Sequence, residues 1–367
     1  MDFTFSDEQE TVAKVARQLF ESRATPEHLT ELEAGDTRYD AELWRELATS
    51  DLLGIALPES VGGSGGGFLE LSVLLSEVGW SVAPVPVYAT LVLGADTIAR
   101  HGDSELQHRY LPGVVDGSTV LTAALIEPGN SDPTAPRTEA RSDGDAWRLT
   151  GTKELVPAAQ LAAAIVVSAT TDDGPALFVV DTDTEGVTIA PVHTTNGEPY
   201  ADVEVTNAVG RRLGEGSDAV GKLYTRALVG LCAIQIGVTE RALKLAAAYT
   251  TEREQFGRPI GSFQAVQQRL ADAFIDVEAI HWTTWHAAWL IGEGRPADRE
   301  AAIAKFWAAE AGARVAASAQ QVHGGMGIDV TYPLSRYFLW AKQIELALGS
   351  ASQQLARLGS TYAEGNT

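Results

Sequence analysis

The sequence predicts an α+β fold in which a helical domain, a small β domain and a bundle of long helices follow one another. Apolar residues recur at helical spacing through about the first 118 residues and again, over longer stretches, from about residue 214 onward. Between them lie short β-rich runs separated by Gly, Pro, Asp and Asn, and no helix-length pattern intervenes, so a doubly wound parallel sheet is not expected. The predicted domains are residues 1–118, 119–213 and 214–367.

The N-terminal region shows two helix signals and one interruption. Ser6 and Gln9 form the spacing of a capping box in front of an amphipathic run, and a second helix is expected at about Ala41–Leu52. The glycine-rich stretch Gly62–Gly67 precedes a further apolar run, Leu69–Val78. Because this stretch lacks the Lys-Ser/Thr ending of a phosphate loop, it is interpreted as a flexible turn.

The remaining two regions supply the strands and the bundle. The predicted strands, arranged as a small antiparallel barrel or sandwich, are Thr119–Thr122, Ile165–Ser168, Leu177–Val180, Val187–Ile189 and Val203–Val205. The predicted helices of a four-helix bundle are Leu223–Leu245, Val266–Ile280, Ala297–Gln320 and Leu334–Leu358.

Composition and charge exclude several classes of function. The chain of 367 residues has a formal net charge of -22 and no basic stretch, which argues against nucleic acid and anionic membranes as partners. Cys232 is the only cysteine, so neither an intrachain disulfide nor a cysteine-based metal site is expected, and no metal is predicted. The acidic N-terminus does not resemble a signal peptide, and no run approaches the length of a membrane span. A cytoplasmic location is therefore expected.

Three motifs resemble one known family over nearly the whole chain. Pro58–Gly63 resembles the "PEEYGG" turn of the acyl-CoA dehydrogenases, Arg253–Gln264 their "RxQFGxPIxxFQ" signature, and Gln321–Gly327 their "QxHGGxG" turn. The order of helical domain, middle β domain and C-terminal four-helix bundle is also that of this family. The resemblance implies α,β-desaturation of an acyl-CoA thioester with FAD as the cofactor.

The last two motifs contain groups suited to a dinucleotide. Arg253 offers a fixed fork of donors for a pyrophosphate, and Phe256 offers an apolar face. Gln264 can meet an adenine edge, and glycine backbone N–H groups can approach phosphate oxygens. The resemblance implies that these residues hold the ADP half of an FAD whose flavin ring lies in a neighbouring chain. The predicted cofactor-binding residues are Arg253, Phe256, Gln264, Gln321, Gly324 and Gly325.

A structural interpretation of the same residues is also open. Arg253 could form a surface ion pair, Phe256 could belong to the core, and the glycines could form an ordinary turn between helices.

Two segments that contact the flavin ring in the family are altered in this sequence. The loop that reads "TEPxAGSD" in the family is here Ile126–Asp132, one residue shorter, and the strand "KWxIT" is here Lys153–Pro157. A Trp and a Thr are replaced by Leu and Pro, and the proline removes a backbone donor.

The catalytic base of the family is also missing. The reaction removes a proton α to the thioester carbonyl, and a positioned carboxylate does this. The position used by most members, six residues after Lys342, is Leu348, and the position used by a minority is Ala227. The arginine that commonly follows the second position is replaced by Leu228, although Arg226 lies nearby. No catalytic residue is therefore predicted in this chain.

The remaining candidates have plainer interpretations. Glu345 lies three residues before Leu348, about 4.5 Å away along a helix axis, and is interpreted as structural or solvated. His323 is expected to serve packing or a phosphate contact. Trp282, Trp285 and Trp289 recur at helical spacing and are expected in the core or at an interface.

The combined pattern predicts a chain that completes the FAD site of a partner. It resembles the non-catalytic subunits of actinobacterial α2β2 heterotetrameric acyl-CoA dehydrogenases that degrade steroid side chains. The resemblance implies a catalytic partner subunit, an acyl-CoA substrate and an electron-transfer flavoprotein as acceptor. The alternatives are a self-sufficient flavoenzyme of the same fold with another base and a non-enzymatic relative that binds no cofactor.

Overall fold

The structure is a computed structural model and describes residues 4–144, 146–214, 216 and 218–363. The chain divides into two compact units. One unit comprises Met1–Ala34, Ser72–Ala83 and Leu228–Thr367, and the other comprises Gly35–Leu71 and Pro84–Ala227. The three predicted domain ranges rest on the sequence pattern and remain a proposal.

The N-terminal part of the chain is helical, as predicted. Its first helix follows the expected capping box: the Ser6 hydroxyl accepts a hydrogen bond from the Gln9 backbone N–H at 3.2 Å, and the Gln9 side chain accepts one from the Ser6 N–H at 3.0 Å. The helices are α1 (Asp7–Arg23), α2 (Pro26–Glu33), α3 (Ala41–Thr49), α4 (Phe68–Ser81), a π-helix (Tyr88–Ala95), α5 (Asp96–His101) and α6 (Ser104–Val115).

The middle part of the chain forms a seven-stranded sheet that closes on itself. Its strands are β1 (Leu121–Ala124), β2 (Glu139–Asp143), β3 (Ala146–Pro157), β4 (Ala164–Thr171), β5 (Gly174–Asp181), β6 (Val187–Val192) and β7 (Tyr200–Leu213). The neighbours run β4-β2-β3-β7-β5, and β5 pairs again with β4, which makes a small barrel. Inward-facing side chains such as Leu149, Phe178 and Val203 are fully buried in its core.

Most pairings in the barrel are antiparallel, and two are parallel. Strand β1 pairs in parallel with β4, and Glu139 of β2 makes one parallel pair with Thr170 of β4. A parallel pairing needs a long connection between its strands, and the β2–β3 hairpin lies in the connection from β1 to β4.

Long helices return after the barrel and form the C-terminal bundle. They are α7 (Ala219–Glu252), α8 (Gln264–Gly292), α9 (Asp298–His323), α10 (Leu334–Leu346) and α11 (Ala351–Ala363). A short hairpin, β8 (Glu254–Gln255) with β9 (Arg258–Pro259), connects α7 to α8.

The prediction of one continuous fourth helix over Leu334–Leu358 was wrong. The chain breaks between α10 and α11, where Leu348 has a φ of 53° and Gly349 a φ of 104°. Both values lie outside the right-handed helical region, so the helix cannot pass through them. The buried Lys305 ammonium donates to the carbonyl oxygens of Glu345 at 3.2 Å and Gly349 at 2.9 Å, and thereby satisfies carbonyls that the break exposes.

Helix α7, with 34 residues, is the longest helix of the described chain. Its length and composition alone would allow it to cross a membrane, but 83% of its apolar window is buried within the protein. Gly237 of α7 approaches α4 so closely that a Cβ there would stand 1.9 Å from the Ser76 carbonyl oxygen. Cys232 is fully buried, and burial raises the pKa of its thiol to about 12.

Candidate functional site

The β8–β9 hairpin presents Phe256 to solvent. Its two tip residues, Phe256 and Gly257, have φ values of 54° and 77°, the signs required by a type I′ turn. Asn-Gly is the sequence this turn prefers, and a bulky side chain at positive φ is strained. The Phe256 side chain is 91% exposed, so its assignment to the core does not apply. A strained, exposed aromatic ring at a hairpin tip is typical of a residue retained for binding.

A cavity of about 430 Å³ lies beside this hairpin. Phe256, Phe263 and Gln321 line it, and so does Arg269 on the second turn of α8. Arg269 also lines an adjoining cavity of about 680 Å³ between α8 and α9. Within the part of the chain that the structure describes, neither Arg253 nor Arg269 is held in an ion pair, so both exposed guanidinium groups can meet an anion.

The glycine-containing turn follows the end of α9. Residues Gly324–Ile328 form a short 3-10 helix, and Gly324 has a φ of 58°. A Cβ added at Gly324 or Gly325 would have open space around it, so nothing in the described chain covers these exposed backbone groups. The alternative in which the glycines only form a turn is compatible with this geometry.

The predicted cofactor residues are therefore brought together in part. Phe256 and Gln321 share one cavity. Gln264, the first residue of α8, is exposed and precedes the cavity-lining Ala265. Arg253 is exposed at the end of α7, and its carbonyl accepts a hydrogen bond from the Ile260 N–H that closes the hairpin. The assignment of all six residues to a cofactor remains a prediction.

His323 is buried behind the glycine turn. Its Nδ1 lies 2.7 Å from the Ala319 carbonyl oxygen, and its Nε2 lies 3.3 Å from the Tyr332 hydroxyl. The ring also stacks on Tyr249, with the ring centroids 4.3 Å apart. Burial lowers the pKa of His323, which favours the neutral imidazole. The expected packing role fits this environment, whereas direct contact with a phosphate does not.

The altered loop of the β domain is organised around a buried carboxylate. Glu127 Oε1 accepts hydrogen bonds from Lys153 Nζ at 2.7 Å, from the Thr138 N–H at 2.8 Å and from its hydroxyl at 2.6 Å. Oε2 accepts from the Arg137 N–H at 2.6 Å and from Asn130 Nδ2 at 3.1 Å. Burial alone would raise the pKa of Glu127, but the hydrogen bonds from Lys153 and Thr138 outweigh it and lower the pKa to about 2.

Other polar groups of this loop are also used within it. Asn130 Nδ2 donates to the Ala135 carbonyl oxygen at 3.0 Å, and Asp132 accepts from the Thr134 backbone and hydroxyl. The neighbouring strand bulges at Leu155, which has a φ of 51° and an exposed side chain. The two segments expected to contact a flavin ring therefore form a self-contained structure in this chain.

Both positions of the expected base carry apolar side chains, and neither supplies a carboxylate. Ala227 is fully buried, and its carbonyl oxygen accepts a hydrogen bond from the Tyr88 hydroxyl at 3.1 Å. Leu348 lies in the break between α10 and α11. Glu345, the nearest acid in sequence, is the last-turn residue of α10 and pairs with Lys342 at 2.5 Å. Its structural interpretation fits this pair.

The arginine next to the second base position is also engaged. Arg226 Nε lies 2.8 Å from Asp96 Oδ2, and both side chains are largely buried. The other carboxylate oxygen of Asp96, Oδ1, accepts a hydrogen bond from Arg100 Nε at 2.7 Å. Arg226 therefore belongs to a buried charge cluster.

The tryptophans of α8 divide between two environments. Trp282 and Trp289 are 49% and 40% exposed, whereas Trp285 is half-buried and packs edge-on against Phe5 at 4.9 Å. Trp282 and Trp289 are thus surface residues of the chain, and of the two expected locations, core or interface, only an interface fits them.

Sequence reasoning missed Arg269, Lys305 and the two tyrosines around His323. Arg269 follows Ala265 by one helical turn, so its place on the cavity face could have been inferred from spacing. Lys305 carried no such signal, because its role depends on a helix break far along the chain.

Comparison with known proteins identifies the family. Models of the N-terminal, middle and C-terminal domains of acyl-CoA dehydrogenases match residues 6–118, 123–208 and 214–362, respectively. The acyl-CoA dehydrogenase FadE27 of Mycobacterium tuberculosis is 41% identical over 375 residues, which cover 99% of this chain and 99% of the relative.

Two solved structures are similar throughout. A variant of the Tcur3481-Tcur3483 steroid ACAD contains a chain that is 47% identical with a TM-score of 0.95, and the match covers 98% of each chain. The ChsE4-ChsE5 complex from Mycobacterium tuberculosis contains one that is 42% identical with a TM-score of 0.95 and 99% coverage of each chain. The matched family binds FAD, which confirms the expected cofactor at the level of the family. The predicted fold class is confirmed as well, and the chain belongs to the acyl-CoA dehydrogenase family.

Proposed function

We propose that this chain is the non-catalytic subunit of a heteromeric, FAD-dependent acyl-CoA dehydrogenase. It would complete the ADP side of an FAD site whose flavin pocket and catalytic Glu belong to a partner chain. The observation that carries this proposal is a contrast within one chain. Ala227 and Leu348 put no carboxylate at either base position, whereas Phe256, Gln321 and Arg269 surround an accessible cavity at the predicted cofactor motifs.

The donor set at this cavity suits the ADP half of FAD. In the proposed complex, the guanidinium groups of Arg253 and Arg269 neutralise the pyrophosphate, and the exposed ring of Phe256 stacks on an aromatic face of the nucleotide. Gln264 and Gln321 offer side-chain amides for hydrogen bonds, and the turn at Gly324 and Gly325 lets backbone approach phosphate oxygens. Bound FAD would supply the acceptor for the hydride that leaves the β carbon of the acyl-CoA.

The similar complexes support a heteromer and suggest its substrate class. Two of the solved relatives are named as pairs of unlike chains, and one is described as a steroid ACAD. By analogy we propose an α2β2 heterotetramer that acts on a steroid side-chain CoA ester. An electron-transfer flavoprotein as acceptor and a cytoplasmic location complete the proposal.

Flavin stoichiometry tests the proposal directly. The chain is purified alone and together with a co-expressed acyl-CoA dehydrogenase partner, and FAD is quantified by absorbance. The expected result is about half an FAD per chain, found only in the complex. One FAD per chain in the isolated, active protein would contradict the proposal and favour a self-sufficient enzyme.

The strained tip of the hairpin offers a second, more local test. Replacing Phe256 by Asn introduces the residue that a type I′ turn prefers, so the isolated chain should be as stable as the wild type or slightly more stable, by up to ~1 kcal/mol. The same change removes the exposed ring, so the complex should bind FAD about three- to tenfold more weakly. Unchanged FAD affinity in Phe256→Asn would remove Phe256 from the proposed site.

A further inference from the structure

We propose that Tyr249, His323 and Tyr332 form a clamp that holds the glycine turn in the position it needs to bind FAD. His323 is then a positioning residue, one that acts through the turn without contacting the cofactor. This inference rests on the proposed function, because it assigns the clamp to the ADP side of the shared site.

The hydrogen bonds of His323 fix both its tautomer and its orientation. A backbone carbonyl can only accept, so Nδ1 carries the proton and donates to the Ala319 oxygen at 2.7 Å. Nε2 is then an acceptor, and the Tyr332 hydroxyl donates to it over 3.3 Å. With both nitrogens engaged and only 3% of the residue exposed, the ring has no group left for acid–base chemistry or for a ligand.

The imidazole ring of His323 contacts aromatic rings from two other segments of the chain. Tyr249 of α7 stacks on one face at an interplanar angle of 24°. The ring of Tyr332, which comes before α10, packs against the His323 ring with the centroids 5.2 Å apart and an interplanar angle of 55°. His323 itself is the last residue of α9. Tyr249, which is distant in sequence, therefore meets the end of α9 and the nearby Tyr332 at one imidazole.

These contacts link the two cofactor motifs. The Tyr249 carbonyl accepts the Arg253 N–H at 2.9 Å, which places the stacked tyrosine one helical turn before the motif arginine. His323 directly precedes Gly324 and Gly325, and nothing among the described residues lies within 4 Å of a Cβ built at either glycine. A turn of this kind has many accessible conformations, so a fixed residue at its start decides where its N–H groups point.

The clamp can be tested in the wild-type complex and in three variants of this chain. Tyr249→Leu removes the stack, Tyr332→Phe removes only the hydroxyl, and Tyr249→Phe keeps the ring and serves as the matched control. For each complex, FAD is removed and rebound, the apparent Kd is measured by flavin fluorescence, and the melting temperature is recorded beside it.

We expect Tyr249→Leu to raise the Kd for FAD about three- to tenfold and Tyr249→Phe to leave it unchanged. Tyr332→Phe should raise the Kd about two- to tenfold and, as the mildest change, keeps the test open if Tyr249→Leu fails to fold. An unaltered Kd in both Tyr249→Leu and Tyr332→Phe, with or without a lower melting temperature, would overturn the clamp and leave only packing. If the wild-type complex shares no FAD between its chains, the proposed function fails instead, so the two failures are distinguishable.

Discussion

The buried pair of Glu127 and Lys153 allows a quantitative prediction about the β domain. Both side chains are essentially inaccessible, with side-chain exposures of 3% and 0%, and their charged atoms are 2.7 Å apart. Removing one partner of such a pair usually costs about 3–5 kcal/mol, because it leaves an uncompensated buried charge. The number of hydrogen bonds that each partner keeps decides which substitution is worse.

Lys153→Met and Glu127→Gln leave the remaining buried charge with different sets of hydrogen bonds. After Lys153→Met, the carboxylate still accepts from the backbone and hydroxyl of Thr138, from the Arg137 N–H and from Asn130. The expected cost is then about 1.5–3 kcal/mol, the range for one hydrogen bond to a charged group. After Glu127→Gln, the buried ammonium keeps only neutral acceptors, the new amide oxygen and the Ser168 hydroxyl at 2.9 Å, and no negative charge compensates it, so the cost should reach the full ~3–5 kcal/mol.

Thermal unfolding at pH 7 measures the difference. At an unfolding entropy of about 2.1 cal/mol/K per residue, a chain of 367 residues shifts by about 1.3 °C per kcal/mol, so Glu127→Gln should lower the melting temperature by about 4–7 °C and Lys153→Met by about 2–4 °C. The double variant should melt above Glu127→Gln, because no buried charge is left unpaired. Lys222→Met is the matched control: its ion pair with Asp218 is more than half exposed on both sides, so its shift should stay within about 1 °C.

Acid provides an independent check of the same pair. The folded-state pKa of Glu127, about 2, lies below the value for an unfolded chain, about 4.3, so the carboxylate stabilises the fold above pH ~4.3. This contribution is lost as the pH falls toward 2, and the wild type and Glu127→Gln should converge there. If Lys153→Met destabilises more than Glu127→Gln, or if the double variant shows the sum of both shifts, the reasoning from remaining hydrogen bonds is refuted.

Three further predictions concern the bundle. Burial lowers the pKa of Lys305 to about 8, so the folded state binds fewer protons than the unfolded state between pH 8 and ~10.4. The melting temperature of the wild type should therefore rise over this pH window relative to that of Lys305→Met. Parallel curves of melting temperature against pH for the two proteins would contradict the lowered pKa of Lys305. Gly237→Ala should destabilise the chain by about 1–3 kcal/mol in denaturant unfolding, because the new Cβ would meet the Ser76 carbonyl oxygen. The control is Gly221→Ala in the same helix, where a Cβ meets open space; this change should be neutral or stabilising by up to ~1 kcal/mol. Glu345→Gln should leave turnover of the complex unchanged in a steady-state assay, since Glu345 pairs with Lys342; a hundredfold loss would identify it as the base.

Local patterns in the sequence were sufficient to predict the helices and the family. The capping box at Ser6 and the long apolar periodicity of α7, α8 and α9 depend on neighbours within a few residues, and the structure has a helix at each place, although α8 continues twelve residues beyond its predicted end at Ile280. The motifs around Arg253 and Gln321 were recognisable for the same reason, as contiguous runs of residues.

Features that depend on distant contacts could not be predicted in this way. Strand β2 and the first half of β3 were missed, because bulges at Gly151 and Leu155 interrupt the alternation of β3 and its partner β7 lies some 50 residues away. Only one glycine in the sequence indicates the helix break at Leu348. The ammonium group that donates to the carbonyl oxygens at the break belongs to Lys305 on another helix. The clamp around His323 likewise joins residues from three segments.

Because Cys232 is buried, the native chain is convenient for site-specific labelling of an introduced cysteine. The only thiol in the sequence is fully buried, and its raised pKa of about 12 keeps it in the unreactive protonated form. A single cysteine introduced on an exposed residue, such as Gln255 beside the hairpin tip, would then be the one site that a maleimide dye modifies in the folded protein. Fluorescence from that dye could report the arrival of a partner chain in real time without a cysteine-free background.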